Sequence, residues 1–287
     1  MQNLSWFPFS IIAVICFGFS MAFYKFPAAK NQSRYSVSFW QLFISFLLSL
    51  VVFYKYIPAT NLTTIIYGSL WGFSFLCLSV LQMKALKEID TNMLYPVTTS
   101  LSLVISVMFG VLFFRDAISW LQIIGIILVI MVVYLFSYKG KSLQYSNKIL
   151  IIGLGVISLS TFGKIIQKFA TGVSSVNINT LQVYQYLSAA IFSLLLYLYI
   201  NRNKANKKPH IGSIISGAMI AIPSFLGGFM WLIALKRGPF SLVSSVHSLY
   251  ILVVAVIAYF MFKEKLTFKK IILILIAILA MILIKVG

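Results

Sequence analysis

LQMKALK, Leu81–Lys87, returns as MWLIALK, Met230–Lys236, 149 positions later. The same spacing sets Gly68 against Gly217 and Val97 against Val246. Near the next helix end the spacing slips to 148, so that FRDAIS (Phe114–Ser119) meets KEKLT (Lys263–Thr267), with Asp116 opposite Glu264. Earlier in each half, YKF at Tyr24–Phe26 is matched by QKF at Gln167–Phe169. The elements keep their order, which reads as one unit used twice, over 1–140 and again over 146–287.

The repeat is written in membrane composition. Hydrophobic residues make up 61% of the 287 and charged residues 9%, against roughly a quarter charged in a soluble domain. A helix needs about 20 apolar residues to cross a bilayer. Ten such spans can be placed, roughly at 5–24, 36–54, 62–83, 92–113, 118–138, 148–169, 178–200, 211–234, 240–262 and 268–286. Five spans fall in each half, and an odd number forces the second half into the membrane upside down relative to the first. The expected fold is therefore all-α, with ten transmembrane helices in two inverted five-helix repeats, the plan by which many transporters build a site near the bilayer midplane.

Net charge is +19. In a soluble chain that would suggest nucleic acid, but here the Lys and Arg residues concentrate in loops at span ends, where they anchor to headgroups and set orientation. The loops after spans 1, 3, 5, 7 and 9 carry most of them, which places those loops in the cytoplasm and both termini outside. Nucleic acid is excluded as a partner on this reading, and membrane lipids are implied. Cys16 and Cys77 both fall inside spans, which argues against a disulfide framework. The N-terminus MQNLSWFPF lacks the basic start of a signal peptide, so the first span is read as a mature helix.

Polar residues inside the spans form stripes. Asn92, Tyr95, Thr99, Ser102 and Ser106 recur at steps of three and four, which puts them on one helical face. The ninth span repeats the first three of these positions as Ser241, Ser244 and Ser248, with His247 beside them. The sixth span adds Ser160, Lys164 and Lys168, one turn apart. A charged residue within a span is a functional-site hypothesis by default. Lys168, at the helix end, is expected to snorkel to the interface. Gln41 on the second span and Tyr184 with Gln185 on the seventh supply further hydrogen-bonding groups.

Against these stands the ordinary role of such residues. Serine and threonine satisfy themselves on the preceding turn, and small residues let helices approach closely. The four acids, Glu88, Asp90, Asp116 and Glu264, all lie in loops or at helix ends. No carboxylate is left at the midplane to bind a lipophilic cation or relay a proton. Asp116 and Glu264 are expected to cap the helix that follows each of them, where negative charge is favoured. His210 and His247 are the two histidines, and there is no H-E-x-x-H and no acid pair for Mg²⁺. An enzyme is therefore not expected, nor a metal or cofactor.

ALKRGPFSLVSSVHSLY and the following FMFKEKLT resemble the signature of the EamA-like, ten-helix branch of the drug/metabolite transporter superfamily. Ala234, Leu235, Gly238, Pro239, Ser241–Val243, Ser248–Tyr250, Glu264, Leu266 and Thr267 carry the likeness, and Pro96 with FRDAIS, Gln122 and Gly125 gives a fainter version in the first half. Ser245 and Ile251 stand where that family commonly has proline, His247 where small residues are usual, and Asp116 where glutamate is usual. Gln41 and Gln185 occupy places where a basic residue is often found. The resemblance implies a multi-pass carrier of metabolites, with both termini in the cytoplasm, opposite to the charge bias.

The expected function is transport of a small metabolite, an amino acid, organic anion or similar, by alternating access around a polar cavity between the halves. The expected substrate-binding residues are His247, Ser244, Ser248, Asn92, Tyr95, Thr99, Lys164, Gln41, Gln185 and Tyr184. The plasma membrane is the expected location, and a coupling ion is left open. The alternative is a flippase or scramblase that moves the headgroup of a lipid-linked precursor along the same groove.

Overall fold

The computed structural model describes residues 4–88, 91–137, 147–202, 211–262 and 267–287, and side chains within those limits except at 4, 28, 87–88, 91–97, 136–137, 147–150, 258 and 262. Ten helical rods follow one another: α1 (Phe7–Phe23), α2 (Arg34–Phe53), α3 (Leu62–Glu88), α4 (Thr91–Leu112), α5 (Trp120–Ser137), α6 (Asn147–Gly172), α7 (Ile178–Asn201), α8 (Ile211–Arg237), α9 in two segments (Phe240–Ser248 and Tyr250–Phe262) and α10 (Phe268–Val286). A short helix, Lys25–Ala29, follows α1, and a 3-10 turn, Tyr54–Ala59, follows α2. No strand occurs among the described residues.

Among the described residues seven helical stretches, those of α1–α3 and α6–α9, are long and apolar enough to cross a membrane by length and composition. Thr98–Leu112 and Trp120–Leu135 are shorter apolar stretches, and α10 carries its lysines near its ends, at Lys269, Lys270 and Lys285. Large apolar side chains such as Ile127, Leu195 and Leu275 point outward on these helices. An apolar outer surface of this extent suits lipid and not water.

The halves are interleaved. α1 packs on α8, and α6 packs on α3. α2 packs on α8, and α7 on α3; α1 meets α9, and α6 meets α4. α2 with α7, α4 with α9 and α5 with α10 close the set. Advancing every label by five turns each of these contacts into another or into itself, as an internal twofold axis requires. α4 also packs on α5, a contact that α9 and α10 do not repeat to the same extent among the described residues.

Two glycines show how close the pseudo-symmetry is. A Cβ on Gly217 of α8 would lie 2.7 Å from Cβ of Trp40 and 2.8 Å from the Gln41 amide nitrogen on α2. A Cβ on Gly68 of α3 would lie 2.8 Å from Cβ of Tyr184 and 3.1 Å from the Gln185 amide nitrogen on α7. The matched glycines seat the helices at matched places, through the backbone-to-backbone approach that only small residues permit in a membrane.

The loop acid departs from its expected role. Asp116 does not cap α5, the helix that follows it. Ser119 and Gln122 do that reciprocally: the Gln122 amide donates to Ser119 Oγ (3.2 Å) and the Ser119 amide to Gln122 Oε1 (3.0 Å), a capping box. Asp116 is thereby released to α9, where its Oδ2 accepts from the Ser241 amide at 2.7 Å. Glu264 lies outside the described residues. Lys168 also differs from the expectation of snorkelling outward: its Nζ donates to the carbonyls of Leu235 and Gly238, both at 2.9 Å, at the C-terminus of α8. A cation there and a carboxylate at the start of α9 each match the local helix dipole.

Candidate functional site

A cavity of about 100 Å³ lies where α1, α3, α4, α6, α8 and α9 converge. Its wall is built from repeat-related pairs. Thr98 and His247 are one pair and Gln82 and Trp231 another, each at the 149 spacing; Phe17 with Ser160 and Met21 with Lys164 follow the spacing of the YKF and QKF motifs. The cavity therefore lies on the internal twofold axis, where the halves face each other.

The axis relates positions but not chemistry. On α6 the wall offers Ser160 and Lys164, whereas the equivalent positions on α1 are Phe17 and Met21. Lys164 Nζ donates to Ser102 Oγ at 3.2 Å, and Thr161 Oγ1 donates to the same oxygen at 3.0 Å. Ser102 and Ser160 are 3.5 Å apart. The one described acidic side chain, Asp116, is committed to the start of α9, so the Lys164 ammonium has no carboxylate partner among the described residues. An unpaired charge of this kind is costly inside a membrane.

His247 sits opposite, 8% exposed, within an aromatic ring of neighbours. Phe17 meets it edge-on at 4.8 Å between ring centres, Trp231 at 4.4 Å and Tyr250 at 5.5 Å. Its Nδ1 has no hydrogen-bond partner among the described residues. Trp231 is fixed by donating its indole N–H to Gln167 Oε1, and Tyr250 OH is 2.9 Å from Thr99 Oγ1. Local structure turns His247 and Tyr250 inward together. Ser245 Oγ donates to the Ser241 carbonyl and Ser248 Oγ to the Ser245 carbonyl, both at 2.7 Å. Such back-bonding tends to bend helices, and α9 is broken at Leu249, between its two segments.

The predicted site residues fall into three groups. His247, Lys164 and Thr99 line the cavity. Ser244 and Ser248 are wholly buried beside it in helix packing, Ser248 bonded within its own helix and Ser244 Oγ without a partner. Gln41 on α2 and Gln185 on α7 are wholly buried where Gly217 of α8 and Gly68 of α3 approach their backbones, and Tyr184 is half-buried on α7; none of the three is in the cavity wall. Gln41 Oε1 accepts from Tyr24 OH at 2.8 Å, while its Nε2 and both polar atoms of Gln185 have no partner. The side chains of Asn92 and Tyr95 lie outside those described.

Sequence reasoning missed Trp71, Gln82, Thr98, Gln167 and Trp231 in the wall. A signal existed for two pairs of positions: projecting His247 back by 149 lands on Thr98, and projecting Trp231 lands on Gln82. Trp71 carries no such mark, since an aromatic residue on an apolar span is usually lipid-facing or core.

Two interleaved, inverted half-bundles closing on a cavity of mixed apolar and polar lining at their twofold axis define a membrane transporter of the inverted-repeat class. The chain belongs to the EamA-like transporter family, whose sequence model matches it twice, over residues 4–138 and 147–286. Members of that family are transporters and not enzymes. A solved structure, described only as "Crystal structure of protein", superposes with a TM-score of 0.77 at 10% identity, covering 97% of this chain and 98% of its own. At that identity the likeness concerns the fold alone. No curated protein matches the sequence significantly.

Proposed function

We propose that this protein carries a small organic anion with an apolar body across the plasma membrane by alternating access. The observation that carries the reading is Lys164: an ammonium in the wall of a cavity on the twofold axis, with no carboxylate partner among the described residues. A carboxylate or similar anion would supply the missing charge, held by Lys164 and by the hydroxyls of Ser160 and Thr99 in the wall, while Ser102, outside the wall, accepts from Lys164. Trp71, Phe75, Phe17 and Trp231 would take the apolar part of the substrate, and the free Nδ1 of His247 would add a hydrogen bond.

The cavity, at about 100 Å³, is smaller than the roughly 300–1,000 Å³ of a typical ligand pocket. A site of that size must widen to load such a substrate. Asp116 on α9 and Lys168 on the end of α8 would hold one side shut in this state, joining the first half of the chain and α6 to the α8–α9 turn.

The test is a melting-curve screen of the purified protein against carboxylates, amino acids, sugars and phosphorylated metabolites, followed by uptake into proteoliposomes. A ligand at about 100 times its Kd stabilises by roughly 2.7 kcal/mol. Stabilisation by a narrow set of organic anions, lost in Lys164→Gln, is expected. Stabilisation by neutral compounds alone, equal in both proteins, would remove the anion from the reading. Flux of lipid-linked precursors without flux of any soluble compound would replace it with a flippase.

A further inference from the structure

A second, larger hollow of about 560 Å³ opens on the outer surface of the bundle, set off from the central cavity by Leu159, which lines both. α6 and α7 both pack firmly on α3 and far less on each other among the described residues, and the hollow lies above α3 between them. Phe73, Leu76, Val80, Leu159, Phe192 and Leu196 line most of it. At one end stand two cations, Arg34 from the start of α2 and Lys84 from near the end of α3. α2 and α3 run in opposite directions across the bilayer, so these two ends share one face of the membrane. Neither cation forms an ion pair among the described residues; Arg34 donates to Tyr35 OH at 2.8 Å and lies 4.8 Å from the centre of that ring.

The dimensions are those of one leaflet. Lys84 and Phe73 are eleven residues apart on a continuous helix, about 16 Å along its axis, and half of the hydrocarbon core is about 15 Å. The cations therefore stand at headgroup level when the apolar end reaches the midplane. The pair is not a by-product of the repeat either. The positions that correspond to Arg34 and Lys84 in the second half are Ile178 and Ile233.

We infer that this groove is a binding site for an anionic phospholipid, its phosphate held between Arg34 and Lys84 and an acyl chain laid along α3 between α6 and α7. The charge complementarity selects the headgroup, as basic pockets between transmembrane helices do, and the apolar walls accept any chain. Because it sits against α3, α6 and α7, such a lipid would brace elements of both halves from outside, at a place no substrate needs to visit.

Cys77 lies in the groove wall and gives a direct readout. In a Cys16→Ser background, phosphatidylglycerol should slow maleimide labelling of Cys77 in detergent, and phosphatidylcholine with the same chains should not. Native mass spectrometry should show phosphatidylglycerol bound at least about tenfold more tightly than phosphatidylcholine, and Arg34→Gln and Lys84→Gln should each weaken it about fivefold. Equal protection by both lipids would overturn the proposal, as would undiminished binding to the double variant. So would disulfide-linked dimers through Cys77, which would mark the groove as an interface between copies of this chain. The readout is lipid binding and not flux, so it stands or falls apart from the transport reading.

Discussion

Two polar layers run through this bundle, and they behave oppositely. On α2 and α7, Gln41, Ser45 and Gln185 are wholly buried, and helices are drawn close, α8 onto α2 at Gly217 and α3 onto α7 at Gly68. Around the twofold axis, Thr99, Lys164 and His247 surround an open space. Both layers carry polar side chains. What separates them is the neighbour: a glycine brings backbone onto backbone in the first, whereas Phe17, Trp71 and Trp231 hold the walls apart in the second. Polar groups inside a membrane protein thus mark either a seam or a site, and the size of the facing residue decides which.

The largest effect should come from forcing the seam open. Gly217→Leu puts a side chain into the Gln41 backbone, and overpacking of this kind costs about 1–3 kcal/mol or more. A steep fall in melting temperature and a broadened size-exclusion peak are expected; a variant as stable as the parent would mean that the contact is looser than described. Next, Lys164→Gln acts on the site. Losing a hydrogen bond to a charged group costs about 1.5–3 kcal/mol, so affinity for an anionic substrate should drop at least about tenfold, while the empty protein, relieved of an unpaired charge, should melt no earlier than the parent. Unchanged uptake would move Lys164 out of the site and erase the contrast.

A smaller effect separates the layers from the other direction. Tyr24→Phe removes the one partner of Gln41 Oε1 and should lower stability by about 0.6 kcal/mol, the average for such bonds within membranes, with KM for transport unaffected. A raised KM at unchanged stability would tie the seam to the substrate. The smallest change is Ser248→Ala. Its hydroxyl bonds only within its own helix, so stability should shift by less than about 0.5 kcal/mol. A large loss of transport there would show that the bend in α9 depends on this one serine.

The repeat, the number of helices and the inverted plan were all legible, because hydropathy and a spacing of 149 are properties of the chain itself. The contrast between seam and site was not. Ser244, His247 and Ser248 lie within five residues, yet His247 alone reaches the cavity, since a shift of one residue turns a side chain by about 100° around a helix. Gln41 and Gln185 looked like site residues because they are polar and deep. Their fate depends on Gly217 and Gly68, which sit on other helices far along the chain. Asp116 shows the same limit: Ser119 and Gln122 were adjacent in the sequence as a capping box, and reading them would have freed the acid for a partner 125 residues away.

The interleaving of the helices also governs how the protein can be made. When translation has delivered α1 to α5 and no more, α1 has no α8 to rest on and α3 has neither α6 nor α7. Gly68 and Gln41 then face lipid or the insertion machinery, not protein. The first half must therefore wait in the membrane as a loose set of helices until the second arrives, and native order appears only after the last span is released. Two polypeptides cut between residues 138 and 147 should find each other when expressed together, and each alone should be a target for membrane proteases.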